Sequence, residues 1–377
     1  ETDEQGRPKP ARVPWFGYQL FTGNSLVGAR PQVFRASQLN APRNFRGPDG
    51  KSVPNPQCWL HAVPRRLAPV EPRRDDDIYH FLLPDEGMCD YANKAVKEYF
   101  GGELDRVKTW KKALLGPFSD LEIRHLRQLS AKIDALWAEH AHQLAQDRAR
   151  TEDSLPVWPE SDEGRISSRA SKEATRKAGM LSEDGHTATP YRRLKLVMDY
   201  WCALWFWPLA QAKALPTRTQ WITEVGAILE GNVMEIDEQR ELDLAPRPAK
   251  VERQYLVPKI QPSLFDDQPG QLPLVAAGAE KSLHDRYGEL RIKRLREHFP
   301  RVIQVEALAT RFRFFHWELN FADIFRAFGP AWRKQQAGHL SLGQLKVMSA
   351  IEQCRSAALG GHALHCNACD HEEISYN

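Results

Sequence analysis

Apolar residues recur at helical spacing along several stretches of this chain, and capping residues mark where they begin. Leu126, Leu129, Ile133, Trp137, His140 and Leu144 fall on one helical face, and Ser119 followed by Glu122 forms a capping box ahead of them. A second helix runs from about Arg192 to Trp207, with Leu194, Val197, Met198, Trp201, Leu204 and Trp205 on one side. Pro208 biases Trp207 out of helical geometry and ends it. Thr217 and Gln220 cap a third, which carries Trp221, Ile222, Val225, Ile228 and Leu229 and stops at Gly231. Ser282 to Phe299 predicts a strongly basic helix. Ser341 with Gln344 caps a last one, on which Val347, Ile351, Cys354 and Ala358 share a face before Gly360-Gly361. Strand signals are fewer. Trp15 to Val27 reads as extended, with Phe16, Tyr18 and Leu20 alternating before the Gly23-Asn24 turn, and Ile78 to Leu83 reads as a short buried strand ended by Pro84.

Between these stretches the pattern fades. Residues 1–12 are a polar lead-in, and residues 36–76 are rich in Pro, Arg and Asn, which predicts loop. Residues 150–190 and 232–280 carry too little apolar surface to offset the entropy of ordering them, so both read as linkers or mobile insertions. No internal repeat is present. The expected fold class is α+β, mainly helical.

Charge and composition narrow the function only by exclusion. Lys and Arg total 52 against 49 Asp and Glu, a net charge of +3, so any basic footprint for nucleic acid must be local. Arg286, Arg291, Lys293, Arg294 and Arg296 supply one candidate, but Glu289 and Glu297 interleave with them and predict a solvated, salt-bridged face. The longest apolar run, Trp201 to Ala210, is broken by Pro208 and far shorter than the ~20 residues of a membrane span. Six cysteines are too few for a disulfide framework in so long a chain; Cys58, Cys89 and Cys202 read as reduced thiols and Cys354 as a small apolar residue. With no apolar leader at the N-terminus, the expected compartment is the cytoplasm.

Two segments carry a resemblance. Phe21-Thr22-Gly23-Asn24-Ser25-Leu26-Val27-Gly28 resembles the "GNSLIG" segment of long adenine-specific DNA methyltransferases of restriction–modification and phage-defence systems. Phe314 to Phe325 resembles their "FHWELEFPEVF" segment, and Leu194 to Leu209 their Trp-rich insertion; the likeness covers about residues 14–325. It implies a DNA partner, S-adenosylmethionine as the parent family's cofactor, and Asn24 as a residue contacting that cofactor. The parent chemistry is incomplete, however. No Gly-rich cofactor turn follows a first strand, Phe100-Gly101-Gly102 being the nearest approach, and the base-binding Asn-Pro-Pro-aromatic motif is absent. Asn55-Pro56-Gln57-Cys58-Trp59 has the wrong spacing for that motif and reads as loop. Glu318 and Asp323 form no distinctive acid pair, and His316 reads as a core histidine. No catalytic residue is assigned.

The chain then changes character. Ala331 to Asn377 closely resembles the N-terminal zinc-binding domain of rolling-circle insertion-sequence transposases, through the run from Gly338 to His362 and the knuckle His365-Cys366-Asn367-Ala368-Cys369-Asp370-His371. Cys366 and Cys369 are the candidate zinc ligands, with His371 as a possible third. Zinc sites close with four ligands, so this is half a site and weak zinc binding is expected. Opening on Glu1 and stopping inside the metal motif, the chain reads as a fragment.

These observations divide the chain into a methyltransferase-like section (1–149), a polar linker (150–190), a Trp-rich helical pair (191–231), an acidic and Pro-rich linker (232–280), a basic helix with the strand before the missing catalytic motif (281–325), and a truncated transposase-like zinc-binding domain (326–377). The leading expectation is an inactive methyltransferase section interrupted by an insertion element: an incomplete α/β section with helical insertions, followed by a helix and half a zinc knuckle. A DNA-binding transposase module with a fused extension is the alternative. A third reading is an adaptor that docks on a sliding clamp through Gln261-Pro262-Ser263-Leu264-Phe265. The apolar side of the Trp-rich helix, with Trp201, Trp205 and Phe206, would be left without its parent sheet and predicts self-association.

Overall fold

The computed structural model describes residues 11–47, 49–67, 71–91, 94–155, 166–179, 188–231, 283, 290–327, 361–365 and 372–376. β1 (Ala11–Val13) leads into a 3₁₀ turn at Phe16–Tyr18, not into the strand expected over Trp15–Val27. Burial explains the difference: Tyr18 is buried, whereas Phe16 and Leu20 stay 71% and 69% exposed, so no alternating face is covered. β2 (Gln32–Arg35), α1 (Ala36–Leu39), β3 (Asn44–Arg46), β4 (Ser52–Pro54) and β5 (Arg65–Arg66) are short pieces within the expected loop. β6 (Asp77–Tyr79) opens the apolar run, which becomes a 3₁₀ turn at His80–Leu82 and is buried throughout. β2 lies between β5 and β6 in an antiparallel sheet, with Val33 opposite Tyr79 and Phe34 opposite Ile78. β3 and β4 form a separate, exposed hairpin.

The helices follow. α2 (Lys94–Tyr99) and α3 (Gly101–Leu114) precede α4 (Asp120–Thr151), a helix of 32 residues. The predicted capping box forms at its start: the Ser119 Oγ accepts from the Glu122 N–H at 3.2 Å, and the Glu122 carboxylate accepts from the Ser119 N–H at 2.7 Å. Its inward face is Ile123, Leu126, Leu129, Ile133, Leu136, His140 and Leu144, all buried. β7 (Asp153–Leu155) pairs antiparallel with β1, and α5 (Arg169–Ala178) packs on α4. Both lie inside the expected linker 150–190. They are held by strand pairing and by Lys172, whose Nζ donates to the Asp153 carboxylate at 2.5 Å, so polar contacts order what apolar burial could not.

α6 (Pro190–Ala203) and α7 (Arg218–Glu230) pack on α4 and on each other. The second capping box is present too: Thr217 accepts from the Gln220 N–H, and Gly231 ends α7 at φ +77°. α8 (Ile292–His298), α9 (Pro300–Phe312), α10 (Trp317–Asn320) and α11 (Ala322–Ala327) complete the body. α6 is the hub, covered by α4, α7 and α9. This corrects the picture of an uncovered Trp-rich helix. Trp207 is buried, Trp201 and Trp205 are half-buried against the core, and Phe206 packs on Phe312 and Phe314 at centroid distances of 4.7 and 5.7 Å. Of the basic helix, the described part shows Arg296 in a two-pronged ion pair with Glu306 of α9 at 2.7 and 2.8 Å. β8 (Gly361–His365) and β9 (Glu372–Tyr376) pair as an antiparallel hairpin. Among the described residues no helix is long and apolar enough to cross a membrane.

Candidate functional site

The two segments that resemble methyltransferase motifs lie far apart in sequence and meet in space. Asn24 forms a parallel bridge with Phe314, its N–H donating to the Arg313 carbonyl at 2.6 Å. The Phe315 N–H donates to the Val27 carbonyl at 2.8 Å, and the Ala29 N–H donates to the His316 Nδ1 at 3.0 Å. Glycines permit this approach. A Cβ on Gly28 would overlap the Phe315 carbonyl oxygen, and one on Gly23 would come within 2.6 Å of the Phe315 ring. Segment 314–325 was expected as a strand; after the single bridge it coils into α10 and α11, because Glu318, Leu319 and Asn320 turn together into the core.

Chemistry at this seam is structural. His316 is 1% exposed and both ring nitrogens have partners: Nδ1 accepts from Ala29 and Nε2 donates to the Asp199 carboxylate at 2.9 Å. With Nδ1 committed to a backbone amide, His316 has no lone pair to act as a base. Asp199 also accepts from the Lys195 Nζ at 2.6 Å. Burial pushes the Asp199 carboxyl up, but Lys195 and His316 outweigh it and hold it below the usual carboxylate range. Glu318 and Asp323 face different cations. Glu318 accepts from Arg66 at 3.1 Å with Arg30 at 3.9 Å, whereas Asp323 pairs with Arg148 at 2.7 Å. Burial raises the Asp323 carboxyl even beside Arg148.

The remaining candidates divide between turns and segments outside the description. The Asn24 Oδ1 accepts from the Leu26 N–H at 3.1 Å, closing a local turn. Asn55 likewise stabilises its own loop, accepting from the Gln57 N–H and donating to the Pro42 carbonyl. Cys58, Cys89 and Cys202 are buried and form no disulfide among the described residues, and burial drives Cys89 up to about 12. Gly101 and Gly102 open α3, and a Cβ on either would meet nothing within 4 Å, so they form no crowded cradle of the kind a cofactor turn needs. Among the described residues no three His, Cys, Asp or Glu side chains stand together as metal ligands. Gln261–Phe265, Arg286, Cys354, Cys366, Cys369 and His371 lie outside the described residues.

The backbone around the knuckle is nevertheless informative. His365 pairs with Glu372, so residues 366–371 are the whole connection of the β8–β9 hairpin, and both cysteines belong to it. A Cys-x-x-Cys pair supplies two of the four donors of a tetrahedral zinc site, and thiolate donors suit that metal. Sequence reasoning missed a different feature, a cleft of about 710 Å³ between β2, the turns at 59–64 and 80–86, and the end of α6. Its lining comes from well-separated segments, which leaves no spacing to read.

Comparison with known proteins bears on the C-terminal part. Residues 324–377 match the family described as "Transposase zinc-binding domain". Over 56 residues the chain is 54% identical to "Putative transposase y4qJ" of Sinorhizobium fredii (strain NBRC 101917 / NGR234), which is 15% of this chain and 14% of that protein. The chain thus spans about a seventh of the curated relative it matches. No solved structure matches. Over its last 54 residues the chain is similar to transposase zinc-binding domains, and residues 1–323 lie outside that family match.

Proposed function

We propose that this chain acts at DNA through a transposase-type zinc-binding module at its C-terminal end, carried on a helical body without methyl-transfer chemistry of its own. The observation that supports it is the family match over residues 324–377, with Cys366 and Cys369 both in the connection of the β8–β9 hairpin. Zinc held by thiolates supplies a structural cross-link rather than a reaction. Cys366 and Cys369 would hold it, with His371 adding a third donor. Zinc counted after dialysis against a mild chelator should be lower in Cys366→Ser than in the parent chain. Equal zinc in both would remove Cys366 from the site. In a gel-shift assay at low salt, the zinc-loaded chain should bind DNA and Cys366→Ser should bind it more weakly; equal binding by both would remove the module from the reading.

A second reading, a methyltransferase middle section, draws support from one feature: the two segments that resemble that family meet at the Asn24–Phe314 bridge. The residues present do not fit S-adenosylmethionine, since the Asn24 Oδ1 serves a local turn and Gly101-Gly102 begin a helix. The purified chain with labelled S-adenosylmethionine and mixed-sequence DNA should therefore leave the DNA unlabelled. Labelling above a no-protein control would overturn that expectation.

A further inference from the structure

The cleft beside the three-stranded sheet has two chemically distinct sides. One is aromatic: Trp59, Trp201 and Trp205 line it. Trp201 and Trp205 meet edge to face at 5.6 Å and 61°, and His80 packs on Trp201 at 4.9 Å and 74°. The Trp201 indole N–H donates to the Leu83 carbonyl at 2.9 Å. The Trp205 N–H is shielded from solvent and has no acceptor among the described residues. An indole nitrogen can only donate, so this group is one hydrogen bond short. Gly87 seats that ring, because a Cβ there would overlap it.

The other side is cationic. Arg30 and Arg66 line the same cleft and converge on one carboxylate, Glu318, at 3.9 and 3.1 Å. Two guanidinium groups here share one carboxylate. Each guanidinium has five N–H donors in a fork that matches phosphate oxygens, and the contacts to Glu318 engage one nitrogen of each. Of the two carboxylates at the rim, Glu86 is paired with Arg43 and Asp85 accepts from the Gly87 N–H at 2.8 Å. The volume falls within the ~300–1,000 Å³ usual for small-ligand sites.

We propose that this cleft binds a nucleotide, its base against Trp201 and Trp205 and its phosphate on Arg30 and Arg66. Indole faces stack on any base, and the guanidinium fork matches phosphate oxygens. The nucleotide can come free in solution or as part of a single strand, and the two sources are separable. The proposal stands apart from the zinc reading, and Cys366→Ser should leave it unaffected.

The test is calorimetric titration of the full chain with a deoxynucleoside monophosphate, the matching nucleoside, inorganic phosphate and a short single-stranded oligonucleotide. Saturable nucleotide binding is expected, with nucleoside and phosphate each about tenfold weaker or worse. Arg66→Gln should weaken the nucleotide about tenfold while leaving the nucleoside unchanged. Trp205→Ala removes the stacking surface and should weaken both. Circular dichroism checks that each variant folds, and Arg66→Lys, which keeps the charge without the fork, should fall between. Tighter binding of the oligonucleotide assigns the strand as source; equal or weaker binding assigns the free nucleotide. No saturable binding, nucleoside binding as tight as nucleotide, or indifference to Arg66→Gln and Trp205→Ala would each overturn the proposal.

Discussion

His80 and His140 are held neutral by burial, which lowers both to about 4. Their stabilising contribution is complete above the unfolded value near 6.5 and is lost as pH falls toward 4, because the unfolded chain takes up the protons first. The shift corresponds to roughly 3 kcal/mol per histidine over that window. Urea unfolding should therefore weaken steeply between these limits, and His140→Gln should flatten the slope; an unchanged slope would contradict the burial argument. Asp199 adds to the acid side with the same sign, since its depressed carboxyl stabilises the fold above the ordinary carboxylate range and loses that effect as pH drops through its folded value. Asp199→Asn removes the charge facing Lys195 and His316 and should cost about 3 kcal/mol at neutral pH. Equal denaturation midpoints for this variant and the parent chain would refute that estimate. Gly28→Ala forces a Cβ into the Phe315 carbonyl and should cost about 2 kcal/mol or more, measured the same way.

At the scale of elements, each helix cap is a local device and its worth can be measured singly. Thr217→Ala removes the side-chain acceptor from the Gln220 N–H and should lower stability by about 1 kcal/mol, seen as a lower melting temperature. The same locality made these helix starts legible: Ser119 with Glu122 and Thr217 with Gln220 each lie within four residues. Where order depends on distant partners, the sequence was silent or misleading. α3 buries only Leu104, Val107 and Leu114, a stripe too thin to stand out. β7 and α5 are ordered by β1 and by the Lys172–Asp153 pair, neither of which a local window contains. Of the candidate sites, the Cys366-x-x-Cys369 spacing stands in the sequence because it is local. The grouping of Trp59, Trp205, Arg30 and Arg66 does not, since only the fold brings them to one cleft.

For the molecule as a whole, the body and the C-terminal hairpin should answer to different agents. Among the described residues the body has no cluster of metal ligands, so a chelator should leave its melting temperature unmoved; a fall of several degrees would place a structural metal within it. The seam between residues 24–29 and 313–316 has a further consequence, which concerns manufacture. Its bond from Ala29 to His316 spans 287 positions, and a ribosome delivers the first partner long before the second. Until Phe312, Arg313 and His316 emerge, the amides of Asn24 and Ala29 lack their acceptors and Phe206 lacks its stacking partners. Closing so long a loop is also a slow, late event in folding. A nascent chain halted before Phe312 is therefore born open, and one that reaches α11 can shut whatever sequence is translated after it.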